Sequence, residues 1–159
     1  MGSSVSISKV NFEDMQCMCR TANPIYQCQY SNLAQSHPSL LINTLPPGMQ
    51  ACLIPGTMPI EQEEASMNAM LSEPRGKDRE IIVYGKNAND DTVYKKYQQL
   101  LHLGFKHVRV YPGGMFEWLL LQDIYGALSF PTTSKELDIL KYKPPSNNNI
   151  NIGHKMILN

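Results

Sequence analysis

The chain has 159 residues, of which 42% are hydrophobic and 18% charged, enough apolar material for one packed domain. Fourteen Lys and Arg balance fourteen Asp and Glu, so no net field draws the chain toward nucleic acid. No basic run with interleaved aromatics argues for nucleic acid, and no apolar stretch is long enough to span a membrane.

Met1-Gly2-Ser3-Ser4-Val5-Ser6 fits the N-myristoylation pattern, with Gly2 as acceptor and Ser6 at the recognised position. The same start is common in recombinant proteins. One acyl chain gives only marginal membrane binding, and Lys9 alone is no polybasic patch. The expectation is at most a weak membrane association through an N-terminal lipid. No secretory leader is read, which implies a cytoplasmic, reducing setting with free thiols by default. Cys17, Cys19 and Cys28 with His37 suggest a zinc set, but the spacings match no common template. Buried or idle thiols are the plainer reading, and no metal or cofactor is expected. Residues 1–35 show no clean period and read as a tail plus a peripheral segment.

The first strand signal is the apolar run Leu40 to Leu45, closed by Pro46-Pro47-Gly48. Ala51 to Ile54 and the turn Pro55-Gly56-Thr57 follow. A polar helix is expected from Glu61 to Leu71, with Ala65, Met67, Met70 and Leu71 on its apolar face. Glu80 to Tyr84 is β-branched and reads as a central strand buried on both faces. It ends at Gly85. The polar loop Gly85-Lys86-Asn87-Ala88-Asn89-Asp90-Asp91 leads to a helix that Asp90 or Asp91 caps. Val93, Tyr97, Leu100 and Leu101 form its stripe, and Gly104 ends it.

Val108 to Tyr111 is the next strand, closed by Pro112-Gly113-Gly114. A helix from Met115 to Tyr125 follows, with Phe116, Leu119, Leu120 and Ile124 expected inward and Trp118 as core. Thr133 and Glu136 predict a capping box for a short last helix through Leu140. The run Asn147 to Asn149 after Pro144-Pro145 predicts a flexible tail over 144–159. Strands alternating with helices at this spacing predict an α/β domain over 36–143, with a mostly parallel sheet flanked by helices in three layers.

The order of these motifs resembles the rhodanese superfamily. Its carriers are Leu41-Ile42-Asn43-Thr44, then Cys52-Leu53-Ile54-Pro55-Gly56-Thr57. Ile82-Val83-Tyr84 with its loop and helix follows, and then Val110-Tyr111-Pro112-Gly113-Gly114 before Trp118. The resemblance covers residues 39 to 125. It implies a loop after Tyr84 whose first residue is a catalytic cysteine, activated by inward N–H groups and by the positive end of the next helix. Here that position is Gly85. Asp90 stands where arginine is frequent, Asn43 where an acidic residue is usual, and Cys52 where histidine is usual. Lys86 restores one positive charge but no nucleophile.

The expected function is therefore a rhodanese-like protein without catalysis, acting as a module for an unidentified protein partner. Its degenerate loop Gly85 to Asp90 holds no catalytic residue, and Lys86, Asp90 and Asp91 are the candidate partner-binding residues. One alternative is a sulfurtransferase that uses Cys52, against the simpler reading of a small buried thiol. Another is a myristoylated, membrane-tethered adaptor.

Overall fold

The computed structural model describes residues 6–21 and 39–146. Gly2, Cys28, His37 and the Asn147–Asn149 run lie outside these residues. Three strands, β1 (Leu40–Asn43), β2 (Glu80–Tyr84) and β3 (His107–Tyr111), form a parallel sheet in that spatial order. Ile82 in the centre pairs with Leu41 on one side and Arg109 on the other. Two further bridges widen the sheet, Lys9 beside Val110 and Thr57 beside Leu41. Four helices complete the domain: α1 (Phe12–Thr21), α2 (Ile60–Ser72), α3 (Asp91–His102) and α4 (Gly114–Tyr125).

The two-residue period of β2 divides the core. Ile81 and Val83 point to one face, with Val93, Tyr97 and Leu100 of α3 and Met67 and Met70 of α2. Ile82 and Tyr84 point to the other, with Met15 of α1 and Met115, Trp118 and Leu119 of α4. A strand covered on both faces explains why Ile81 to Tyr84 reads as an unbroken apolar run. The result is the expected three-layer α/β arrangement. Among the described residues, no helix is long and apolar enough to cross a membrane.

Four expectations need correction. The first strand stops at Asn43, because that side chain accepts the Leu45 N–H at 3.1 Å and turns the chain out of the sheet. Within the segment before residue 35, the described residues 6–21 are more than peripheral: the Val10 N–H bonds to the Val110 carbonyl, and Met15 of α1 is fully buried. Asn11 and Asp14 cap α1 reciprocally, each side chain accepting the other's N–H. The Thr133–Glu136 capping box does not form. Thr133 instead clips two segments together, accepting the Leu53 N–H and donating to the Ala51 carbonyl, while Glu136 pairs with Lys141. Only a short 3-10 turn, Ile139–Tyr142, follows.

The last correction concerns which helix faces are buried. α4 buries Met115, Trp118 and Leu119, while Leu120 and Ile124 are exposed and Phe116 is half-buried. This helix is apolar almost all round, so periodicity could not choose its inner face. In α2, Ala65 is exposed and Met67 and Met70 carry the contact. Leu101 of α3 is likewise exposed, at 38%.

Trp118 is the hub of the α4 side. It meets Phe130 edge-on at 5.0 Å and Tyr111 at 6.3 Å, and its indole N–H donates to the Pro131 carbonyl at 2.8 Å. Replacing it leaves a large cavity and an unpaired carbonyl. Trp118→Ala should cost about 3–5 kcal/mol. A urea midpoint within experimental error of the wild type would contradict this packing.

Candidate functional site

Parallel strands bring all their carboxyl ends to one edge, where loops form a crevice. β2 delivers Gly85 to the middle of that edge. The loop from Gly85 to Asp90 then turns into α3, and the start of α4 closes on it from the side.

Asp90 organises the loop. Its Oδ2 accepts the Lys86 N–H at 2.9 Å, across the mouth of the loop. Its Oδ1 accepts the Thr92 N–H at 3.1 Å and the Thr92 hydroxyl at 2.5 Å, which makes Asp90 the N-cap of α3. Of the two cap candidates, Asp90 is the one used. The negative carboxylate also sits favourably at the positive end of the helix. Thr92 is bonded onward to Thr44 Oγ1 at 2.9 Å, tying α3 to the end of β1.

α4 braces the other side. The Met115 and Phe116 N–H groups, which have no partner within their own helix, donate to the Gly85 and Lys86 carbonyls at 2.9 Å each. Gly114 makes this approach feasible. Its φ is +64°, and a Cβ there would lie 2.6 Å from the Gly85 carbonyl oxygen. Asn87 is buried and donates from Nδ2 to the Tyr142 carbonyl at 2.9 Å, so the loop also anchors the last 3-10 turn.

The space beside Gly85 is filled. A Cβ there would lie 2.4 Å from Val93 Cγ2, 2.5 Å from Asp90 Oδ2 and 2.7 Å from Thr44 Oγ1. Of the residues expected to face a partner, Asp91 is exposed, Lys86 is half-buried, and Asp90 spends its carboxylate inside the loop. Ala88 and Asn89 are exposed at the loop tip.

Asn43 and Cys52 have structural surroundings. Asn43 is 2% exposed and exchanges hydrogen bonds with Gln50, at 3.0 and 2.7 Å. Cys52 is 2% exposed, and its thiol donates to the Ser134 carbonyl at 3.3 Å. Burial pushes its pKa up, partly offset by hydrogen bonds from Thr132 and Ser134. A raised pKa keeps the thiol protonated and weakly nucleophilic. Cys17, by contrast, is disulfide-bonded, so the free-thiol expectation fails there. His102 and His107 are exposed.

Sequence reasoning missed Tyr84. This buried residue precedes Gly85, and its hydroxyl accepts the Ile54 N–H at 3.2 Å and meets Thr57 Oγ1 at 2.6 Å. It thereby fixes the Pro55-Gly56 turn to β2. The signal was a tyrosine in an otherwise aliphatic central strand, since a buried phenol needs a partner.

The family model for the Rhodanese-like domain matches residues 27–121. Among solved structures, the chain is similar to the Alr3790 protein from Anabaena sp., with 23% identity over 83% of this chain and 86% of that one, at a TM-score of 0.46. It is also similar to the Rhodanese-like domain of the same Anabaena protein, with 26% identity over 59% of this chain and 85% of that one, at a TM-score of 0.42. No curated protein matches the chain.

Buried acids around this edge set a pH response. Burial raises the pKa of Cys52 above its ordinary 9.0. Burial also raises Tyr84 and Tyr111 above 10.0, with the Glu117 carboxylate adding to the shift at Tyr111. Each group keeps its proton longer when folded than when unfolded. Its contribution to stability is complete below the unfolded pKa and is lost as pH climbs toward the folded value. The denaturation midpoint should therefore fall steadily once pH passes 9 to 10. A midpoint that stays constant from pH 8 to 11 would show that these groups ionise freely in the native protein.

Proposed function

This chain belongs to the rhodanese-like domain family, and we propose that it is a non-catalytic member that binds another protein. Gly85 is read as the family's cysteine position. The observation that carries the proposal is the arrangement around it. No side chain projects from residue 85, and the volume where one would project is taken by Val93, Thr44 and the Asp90 carboxylate. A sulfur-transfer or phosphatase centre needs a thiolate at that point and donors for an anion. Here the Lys86 and Thr92 amides already hold an internal carboxylate. A second negative group, such as thiosulfate, would meet like charge at close range.

Cys52 is a poor substitute. It is enclosed, hydrogen-bonded to Ser134 and held protonated. The purified protein should therefore show no transfer of sulfur from thiosulfate to cyanide above the buffer rate, with or without Cys52→Ser. Turnover that disappears in Cys52→Ser would make Cys52 the nucleophile and end the non-catalytic reading.

The partner surface is placed at the loop tip, on Ala88, Asn89 and Asp91, which are exposed beside a firmly braced backbone. Rigid presentation lowers the entropy cost of binding. Asn89→Ala with Asp91→Lys should remove at least one protein from an affinity pull-down while leaving the urea midpoint nearly unchanged. Identical recovery of every bound protein would place the partner surface elsewhere.

A further inference from the structure

We infer that position 85 is held to glycine by its neighbours, with Asp90 as the positioning residue, so that any side chain placed there alone destabilises the fold. The inference rests on reading Gly85 as the cysteine position, but its geometry stands independently of any activity.

The three atoms facing Gly85 belong to side chains with little freedom to move. Val93 is 3% exposed in the core under α3, and β-branching confines its χ1. Thr44 is also β-branched, and its Oγ1 is fixed by the Thr92 hydroxyl. Asp90 is fixed by three hydrogen bonds, to the Lys86 amide, the Thr92 amide and the Thr92 hydroxyl. Moving its carboxylate away from Gly85 would uncap α3 and release the Lys86 N–H together.

The backbone at Gly85 has no free direction either. Its carbonyl accepts the Met115 N–H, and Gly114 lies against that oxygen. A contact of 2.4–2.7 Å is far inside the 3.5–4.0 Å optimum for non-bonded heavy atoms, so something must shift. Cysteine would need room for its Sγ beyond the Cβ. The loss of the nucleophile and the inward setting of Asp90 are thus one coupled arrangement. A cysteine placed there without compensating changes among Thr44, Asp90 and Val93 therefore carries a stability penalty.

The test is a comparison of unfolding in urea for the full chain and three variants: Gly85→Ala, Asp90→Gly with Val93→Ala, and all three changes together. Glycine is an adequate N-cap, so Asp90→Gly opens space without abolishing α3. In the wild-type background, Gly85→Ala should raise the unfolding equilibrium constant about 10- to 100-fold, the range typical of overpacking. In the opened background, where only the Thr44 contact at 2.7 Å remains, the same change should raise it by at least about threefold less, a non-additivity expected of side chains in contact. If Gly85→Ala does not fold alone, recovery of cooperative unfolding in the triple variant reads the same way. A neutral Gly85→Ala, an equal penalty in both backgrounds, or no recovery overturns the inference. Sulfur transfer by the wild type would instead overturn the non-catalytic reading and leave this packing result untouched.

Discussion

The contact on which the carboxyl edge depends is backbone against backbone. The first amides of α4 reach the carbonyls of Gly85 and Lys86, and only a residue without a side chain at position 114 permits it. Two sets of polar groups left over from regular structure satisfy one another there. The helix start has N–H groups without partners, and the loop after β2 has carbonyls without a neighbouring strand. Because both sets are spent on each other, the loop is fixed before any side chain contributes.

That fixation governs the rest of the site. With its carbonyls held by α4, the loop turns the Lys86 amide toward its own far end, where Asp90 meets it. Asp90 then caps α3, and Thr92 carries the connection to Thr44 at the end of β1. Asn87 carries it in the other direction, to Tyr142 and the end of the described chain. Strand ends, helix starts and the final turn thus share one hydrogen-bonded centre. In the reading proposed above, such a centre preserves the shape of the loop after its chemistry has gone.

The sequence disclosed the elements whose local pattern has one meaning. Glu80 to Tyr84 carries the β-branched run Ile81-Ile82-Val83, and the strand has the expected bounds. The stripe Val93, Tyr97, Leu100 located the inner face of α3, and Asp90 its cap. Where two faces were equally apolar, as in α4, the pattern could not say which was buried. Where a motif had a stronger tertiary use it misled, as when Thr133 bonded to Ala51 and Leu53 instead of capping a helix. At the site, the sequence showed glycine at position 85. The crowding around it was not legible, because Thr44, Asp90 and Val93 converge only after β1 and α3 are packed.

Net charge conceals a further consequence of parallel topology. Among the described residues, each α-helix follows a strand or bridge of the same sense and so begins at the carboxyl edge. First turns favour acidic residues, and this chain places Glu13 and Asp14 in α1, Glu61 and Glu63 in α2, Asp91 in α3 and Glu117 in α4. A chain with equal numbers of acids and bases thus places carboxylates in its first helical turns, with Glu63 paired to Lys96. Asp90 adds a further carboxylate at the N-cap of α3. Low-dielectric walls would strengthen the field such groups exert on a ligand. A sulfur donor or a phosphate ester carries negative charge, whereas a protein surface can present neutral or positive groups.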